Sequence, residues 1–300
     1  YIAEGHSTGR YVVLSTGDQS IAEEFINGAA CFGLRVAKRS KKYDYQISGM
    51  AIATLLKTWC GNNSHNKQLP VFWPELSQVQ LSELLSGIFA GDGGVESNNT
   101  VSLSSVSDEL ISDVQSALLR FGIHARVRIK NLTYKGLPRT SNVLAIYGND
   151  LNKFQQHIGF GLERKDLQLK LVCDNLNTGN TNVDLFPLDN ELILEMSKKY
   201  GLFQKDIARA AGSTRSLISF YLSGSRIPSR SKAKKILDYF CNIAEQANDY
   251  EVLNKLRGHI ANTNLYWSPI KSISTRKVAN ELVYDFTVPG SETFLSGDGS

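Results

Sequence analysis

The 300-residue sequence contains no apolar run close to the roughly 20 residues that span a bilayer. It also lacks a basic start followed by an apolar stretch, the pattern of a secretory signal peptide. Membrane-embedded and secreted proteins are therefore excluded as classes. The cysteines are few and far apart with no CxxC pair, which disfavours a zinc knuckle or a disulfide framework. We expect reduced, mostly buried thiols in a cytoplasmic protein, at Cys31, Cys60, Cys173 and Cys241.

Charged residues are too scarce for a disordered chain, at 21% against 42% hydrophobic residues. This composition supplies enough apolar side chains for folded cores. The length is that of about two domains. Methionine occurs only at Met50 and Met196, and the sequence opens on Tyr1. We interpret the sequence as a piece of a larger polypeptide.

The formal net charge of +4 is distributed unevenly. Residues 198–235 carry a net charge of +9, residues 35–45 carry +4 and residues 121–141 carry +5, which leaves −14 on the rest of the chain. Cationic segments on an otherwise acidic chain are typical of a protein that binds a polyanion, and nucleic acid is the leading candidate. Solvated surface loops are the alternative interpretation.

The first half of the sequence contains an internal repeat. Glu4 and Asp92 are each followed by a glycine, a β-rich run, an amphipathic stretch and a Phe-Gly pair. The spacing from the acid to the phenylalanine is 28 residues in one copy and 29 in the other. Each copy then continues with a basic strand, a second strand and a helix. This order predicts two similar α+β units.

The basic strand of each copy places its cations at alternating positions, which puts them on one face of a sheet. In the basic strand of the second copy, we expect Val127 and Ile129 to lie on the opposite face and to point to the core. A two-stranded ribbon with a cationic face suits the major groove of a DNA duplex. The predicted DNA-binding cations are Arg35, Arg39 and Lys41 in the first copy and Arg126, Arg128 and Lys130 in the second.

The segment before the second acid carries a recognisable motif. Leu85 to Gly93, LSGIFAGDG, resembles the LAGLIDADG motif of homing endonucleases, and Tyr1 to Gly5 resembles the last turn of its first copy, with the start of that helix missing. The resemblance implies an α+β fold of two αββαββα-like repeats about a pseudo-twofold axis, acting as a monomer. It covers residues 1–171 of a predicted domain 1–175, with repeats 1–66 and 78–171.

The resemblance also implies chemistry. It predicts site-specific double-strand cleavage of DNA, with Glu4 and Asp92 holding magnesium or manganese between the scissile phosphates. Hard oxygen ligands suit such ions, which activate water and stabilise the attacking and leaving oxygens. By the same resemblance, Lys67 and Lys165 are candidate catalytic residues. The histidines show no paired ligand spacing, and none is assigned to chemistry.

A second DNA-binding module follows a linker-like stretch rich in Asn, Thr and Gly. The pattern of residues 186–247 resembles an all-α helix-turn-helix domain of the phage-repressor type, with Gly212 in the turn and Ile218 facing the core. An ordinary small helical bundle is the alternative, which the +9 charge disfavours. Residues expected to reach DNA bases are Arg215, Ser216 and Ser219, and those expected on phosphates are Arg226 and Arg230.

Residues 262–300 resemble a β fragment of the C-terminal intein splicing (Hint) domain. Asp285 is the only splicing residue that the resemblance assigns, because the terminal His-Asn pair and the N-terminal splicing block are absent from the sequence. We therefore expect an intein-encoded endonuclease, embedded in a host protein before splicing, that does not itself splice.

Two other classes compete with this interpretation. Some bacterial DNA-binding regulators combine a degenerate LAGLIDADG fold with a helix-turn-helix and do not cut DNA, and RNA maturases share the fold. The acidic pair Glu4 and Asp92 and the intein-like tail favour the endonuclease. Truncation of the first motif helix leads us to expect inefficient cleavage.

Overall fold

The computed structural model describes residues 1–40, 43–134, 136–176, 185–261, 267 and 272–275. These residues form two compact units, the N-terminal unit up to residue 176 and the helical unit from residue 185. Lys41, Asp285 and most of the predicted splicing segment 262–300 lie outside the described residues. No helix in the described ranges is long and apolar enough to cross a membrane.

The N-terminal unit is built from two repeats of the same element order. The first contains β1 (Gly5–Ser7), β2 (Tyr11–Ser15), α1 (Gln19–Cys31), β3 (Val36–Lys38), β4 (Asp44–Ser48) and α2 (Met50–Cys60). The second contains α3 (Gln78–Asp92), β5 (Gly93–Glu96), β6 (Thr100–Ser105), α4 (Asp108–Leu119), β7 (Ala125–Tyr134), β8 (Leu137–Ile146), α5 (Asp150–His157) and α6 (Glu163–Asp174). A 3-10 helix (Trp73–Glu75) precedes α3.

Each repeat forms one four-stranded antiparallel sheet. The strand orders are β1-β2-β4-β3 and β5-β6-β8-β7, so the two sheets have the same topology. Equivalent strands occupy equivalent positions, which confirms the internal repeat predicted from the spacing of the two acids.

Helix α3 begins and ends where its local sequence dictates. Ser77 and Gln80 form a reciprocal capping box at its start. Its apolar face is buried through Leu81, Leu85 and Phe89, and the Phe89 ring lies 4.8 Å from that of Phe154 in an edge-on contact. The apolar core thereby fixes the helix against α5 and the second sheet.

Near the end of α3, the backbone of Gly91 lies close to side chains of the segment 1–5, which we call the motif turn. A Cβ atom added to Gly91 would lie 2.6 Å from the Ala3 Cβ and 3.1 Å from the Glu4 Cγ. Carbon atoms do not approach that closely without displacement, so only glycine fits at position 91. The two acids that follow these residues are brought to one place by this contact.

The second hairpin is much longer than the first and differs from the sequence prediction. Strands β7 and β8 pair over ten residues each, and we call them the ribbon. Val127 pairs with Leu144, which pairs with Leu103 of the core, so the predicted face is correct, but Val127 is 40% exposed and Ile129 is 72% exposed, so the predicted burial is wrong. The reason is that β7 is the edge strand and that only one end of the ribbon is covered, since β8 is exposed over its first four residues and mostly buried after them.

The helical unit consists of five helices around one apolar core. They are α7 (Asn190–Lys199), α8 (Gln204–Ala210), α9 (Arg215–Leu222), α10 (Arg230–Gln246) and α11 (Tyr250–Ala261). Gly212 has a φ of +56° in the turn between α8 and α9, a conformation that favours glycine. Lys232 of α10 donates to the Ala211 carbonyl at 3.0 Å, which fixes the end of this turn. Helix α11 was not predicted from the sequence.

Two glycines of α3 give a matched test of the close contact. Gly91→Ala is expected to lower the free energy of unfolding by about 1–2 kcal/mol, because overpacking outweighs the better helix propensity of alanine. Gly87 is exposed in the same helix and an added Cβ would meet nothing within 4 Å. Gly87→Ala is therefore expected to stabilise the protein by about 0.5–1 kcal/mol. Chemical denaturation measures both, and equal effects would contradict the assigned contact.

Candidate active site and nucleic-acid interface

A cleft of about 430 Å³ lies between the two sheets of the N-terminal unit. Both repeats contribute to its walls, and the acids Glu4 and Asp92 both line it. Polar side chains surround them, as expected of a site that binds a hydrated or charged ligand. The other polar lining residues are His6, Ser15, Asn63, Ser64, Lys67, Ser104 and Ser105.

The two acids occupy equivalent positions because the backbone around them is equivalent. The Gly5 amide donates to the Tyr1 carbonyl at 2.9 Å, and the Gly93 amide donates to the Phe89 carbonyl at the end of α3. Each acid is thus the last residue before a closing glycine and before the first strand of its sheet. The predicted pairing of Glu4 with Asp92 in one cleft is what the structure contains.

The charge of Glu4 acts on the Asp92 carboxyl group. Asp92 reaches solvent in the cleft, yet partial loss of hydration there and the nearby charge of Glu4 raise its pKa to about 7. Lys165 and Lys67 oppose this rise. A cation bound beside Asp92 would favour the ionised form of its carboxyl group.

Lys67 is buried and borders the acids. Its ammonium donates to the Tyr1 carbonyl at 2.9 Å and lies 3.5 Å from the centroid of the Tyr1 ring. Burial lowers the pKa of Lys67 to about 8, although the charges of Cys60 and Asp92 oppose the shift. Lys67 therefore places at the wall of the cleft an ammonium group that loses its proton more readily than an ordinary lysine.

Lys165 has the equivalent position behind α3. Its ammonium donates to the carbonyls of Ala90 and Gly93, both at 2.6 Å, and contacts those of Phe89 and Gly91 at 3.4 Å. Burial lowers the pKa of Lys165. Unlike Lys67, it is not among the residues that line the cleft. Both lysines thus donate to carbonyls beside the acids and act electrostatically on Asp92, but only Lys67 lines the cleft.

Sequence reasoning missed several cleft residues, of which His6 is the most informative. His6 lies on β1 two residues after Glu4, and strand alternation turns both toward the same side. The two-residue spacing from Glu4 could have indicated in the sequence that His6 belongs to the site. It was not used, because a single histidine does not form a metal-ligand pattern. Its equivalent in the second repeat is Gly94, so the two halves of the cleft differ chemically.

The donor set suits a divalent metal only in part. Within the described ranges, no group of three or more His, Cys, Asp or Glu side chains gathers around a common point. Two carboxylates at one cleft could hold a hard cation if phosphate and water oxygens completed its shell. Glu4 and Asp92 thus fit a metal that binds together with a phosphate ligand.

The cations of the ribbon share a face with the cleft. Arg128 pairs with Val143, and Val143 pairs with the cleft residue Ser104, so all three point to the same side of the sheet. Arg126 and Lys130 are two residues away on the same strand and are exposed. The cationic face predicted for the second copy is therefore continuous with the cleft.

The first sheet has a smaller cationic face. Arg39 follows β3, its amide bonds to the Asp44 carbonyl, and its guanidinium lies 5.5 Å from the centroid of the Tyr11 ring. Asp44 pairs with Ser15, which lines the cleft. Arg35 precedes β3 and is exposed.

In the helical unit, the predicted base-reading residues lie on the exposed face of α9. Arg215, Ser216 and Ser219 are exposed, whereas Ile218 and Tyr221 are buried in the core. Arg226 is exposed after α9, and Arg230 is half-buried at the start of α10. The turn between α8 and α9 thus presents α9 to a ligand as a recognition helix would be presented.

Each of the two units contains a segment that matches a known protein family. Residues 80–159 match the family model of the LAGLIDADG-like domain, and residues 193–240 match that of the helix-turn-helix. The chain therefore combines a LAGLIDADG-like domain with a helix-turn-helix DNA-binding region, which confirms these parts of the sequence prediction.

Two curated relatives extend over most of the chain. The DNA-directed RNA polymerase subunit Rpo1C of Methanocaldococcus jannaschii is 25% identical over 100% of this chain and 34% of its own length. The replicative DNA helicase DnaB of Rhodothermus marinus is 29% identical over 79% of this chain and 24% of its own length. The chain spans about a third or less of the length of these relatives.

Two solved structures resemble the chain more distantly. Full-length DUF199/WhiA from Thermotoga maritima has a TM-score of 0.40 and 13% identity, with 89% of each chain covered. The homing endonuclease I-DmoI in complex with DNA and Ca has a TM-score of 0.36 and 12% identity, covering 49% of this chain and 74% of that one. I-DmoI was also solved with DNA and Mn.

The raised pKa of Asp92 makes stability depend on pH in a defined direction. The pKa of Asp92 rises from 3.8 to about 7 on folding, so the folded protein favours the protonated carboxyl group. The contribution of this group to the free energy of unfolding is therefore largest in acid and is lost as the pH rises through about 7. With metal ions removed by a chelator, the Asp92→Asn variant is expected not to show this loss of stability, because asparagine does not ionise. The melting temperature of the variant relative to wild type is expected to increase between about pH 4 and pH 8.

Magnesium provides the control for this measurement. A bound cation favours the ionised carboxylate, so its addition at the higher pH is expected to shrink the difference between Asp92→Asn and wild type. A difference in melting temperature that stays the same at both pH values would contradict the electrostatic assignment.

Proposed function

We propose that the chain is the endonuclease region of an intein and makes a site-specific double-strand break in DNA by metal-dependent hydrolysis. The observation that carries the proposal is the pair Glu4 and Asp92 at the floor of one cleft, between two sheets with cationic faces. Each acid belongs to one repeat, which matches a duplex that offers one scissile phosphate on each strand.

Glu4 and Asp92 would hold the metal, magnesium or manganese. Such a metal, when bound, supplies activation of water and stabilisation of charge on the phosphate oxygens. Asp92 must lose its proton to become a ligand, and its pKa of about 7 makes this loss incomplete at neutral pH. Metal binding is therefore coupled to release of a proton from the Asp92 carboxyl.

The two lysines have different roles in this proposal. Lys67 borders the cleft with a pKa of about 8, so its ammonium can stabilise negative charge that develops on a phosphate and can give up a proton there. Lys165 neutralises the carbonyl end of α3 and thereby sets the position of Asp92. Both act on the reaction, one at the phosphate and one through the helix.

The relatives support an intein origin. An RNA polymerase subunit and a replicative helicase are different proteins by name, yet each contains a region similar to most of this chain that makes up a minor share of its length. A segment common to otherwise different host proteins is expected of an inserted element. In this proposal residues 262–300, with Asp285, come from the splicing domain of that element.

DNA is the proposed substrate and binding partner, engaged through the two sheets and the helix-turn-helix. The proposed contacts are those of Arg35, Arg39 and Lys41 on the first repeat and of Arg126, Arg128 and Lys130 on the ribbon. In the helical unit they are the contacts of Arg215, Ser216, Ser219, Arg226 and Arg230. Phosphate contacts supply affinity and orientation, and contacts to base edges supply specificity.

A cleavage assay tests the enzymatic proposal. Duplexes are first selected from a random library with the Asp92→Asn variant in chelator, and the selected site is cloned into a plasmid. Wild-type chain with magnesium is expected to linearise this plasmid, because both carboxylates can then hold the ion. Asp92→Asn is expected to bind the same site without cutting it, and chelator is expected to abolish cleavage by wild type.

The assay has an internal control and a decisive negative outcome. Glu83 is exposed on α3 and does not line the cleft, so Glu83→Gln is expected to cut like wild type. Specific binding by wild type with no cutting in magnesium or manganese would refute the endonuclease and favour a non-cleaving DNA-binding regulator.

The proposed phosphate contacts of the ribbon predict how strongly DNA binding depends on salt concentration. Each lost phosphate contact reduces the slope of log binding constant against log salt by about 0.9. Neutralising Arg126, Arg128 and Lys130 to glutamine is expected to reduce this slope by about 2.7 if all three contact phosphates. Fluorescence anisotropy at several salt concentrations measures the slope.

Exposed lysines on helices provide the comparison. Lys57 of α2 and Lys170 of α6 carry the same charge but do not belong to a sheet face. Changing both to glutamine is expected to leave the slope unaltered. An equal reduction per removed charge in the two sets would mean that net charge, and not the ribbon, controls binding.

A further inference from the structure

The recognition helix α9 carries an exposed aromatic residue that the sequence prediction did not assign. Phe220 is 45% exposed and lies one position after Ser219 on the solvent face of α9. The described core of the helical unit includes Ile218 and Tyr221 of the same helix but not Phe220. Single exposed apolar side chains are common on protein surfaces, so what distinguishes Phe220 is its place on α9 beside the predicted base-reading residues.

The Phe220 ring is held in place by its surroundings. The Arg226 guanidinium lies 5.1 Å from the ring centroid, and the Arg226 amide donates to the Phe220 carbonyl at 3.1 Å. The Ser223 hydroxyl donates to the same carbonyl at 3.2 Å. The backbone bonds fix the segment after α9, and the cation–π contact orients the ring.

The position of Phe220 matches the part of α9 that would face bases. A helical turn places Phe220 beside Ser216, which is four residues earlier and also exposed. An aromatic side chain offers bases an apolar contact, and the apolar feature of the major groove is the methyl group at C5 of thymine.

We propose that Phe220 contacts a thymine methyl group in the DNA bound by the helix-turn-helix, and that Arg226 orients the ring for this contact. The proposal rests on DNA binding by the helical unit, which is part of the proposed function. It assigns one base preference to one side chain, and it needs no cleavage activity.

Replacing thymine by uracil tests the contact, because uracil lacks only the C5 methyl group. In the duplex selected above, each thymine is replaced singly by deoxyuridine, and affinity for the full chain is measured by anisotropy at fixed salt. Wild type is expected to lose about fourfold in affinity at one or two positions, the value of one buried methyl group. Phe220→Ala is expected to bind thymine and uracil duplexes equally at those positions.

Phe203 supplies a matched control outside α9. It is 66% exposed, and the Lys205 ammonium lies 5.3 Å from its ring, so it is a similar exposed aromatic with a cation beside it. Phe203→Ala is expected to keep the uracil effect in full. Arg226→Ala is expected to reduce it, and an undiminished effect would remove Arg226 from the proposal.

The outcomes separate this inference from the endonuclease. Binding with no uracil effect, or with the same effect in wild type and Phe220→Ala, would overturn the thymine contact and leave the cleavage proposal standing. A uracil effect that depends on Phe220, together with no cleavage in metal, would support the contact and refute the endonuclease. Failure to select any duplex would overturn both.

Discussion

The approach of the motif turn to the end of α3 is the contact on which the N-terminal unit depends. A Cβ on Gly91 would lie 2.6 Å from the Ala3 Cβ, so the bare backbone of α3 at position 91 packs directly on the Ala3 and Glu4 side chains. The acids follow directly, and each is fixed by the closing glycine after it. Close packing of the motif turn on Gly91 therefore brings two acids that repel each other into one cleft.

That arrangement has an electrostatic cost, and the surrounding lysines offset part of it. Reduced hydration and the charge of Glu4 raise the pKa of Asp92, while Lys165 and Lys67 lower it. Lys165 is confined to the carbonyls at the end of α3, and Lys67 borders the cleft. The equivalent lysines of the two repeats thus both donate to carbonyls near the acids and differ in that only Lys67 lines the cleft.

Much of the fold could be predicted from the sequence, because the acid-glycine pairs and the Phe-Gly spacing repeat. The exposure of Val127 and Ile129 could not, because alternation cannot distinguish a strand covered by helices from one that extends past them. Likewise, His6 and Phe220 carry no motif in the sequence. They became candidates only when the cleft and the exposed face of α9 could be seen.

The sequence by itself determined which residue types recur and at what spacing, and hence the two repeats, the acidic pair and the helix-turn-helix. These follow from local patterns of glycine, charge and apolar periodicity. Only the tertiary structure decided which side chains share a space. It separated Lys67 from Lys165, made the ribbon cations continuous with the cleft and left Phe220 exposed beside Arg226. The physical reason is that burial and proximity arise from contacts between residues far apart in the chain.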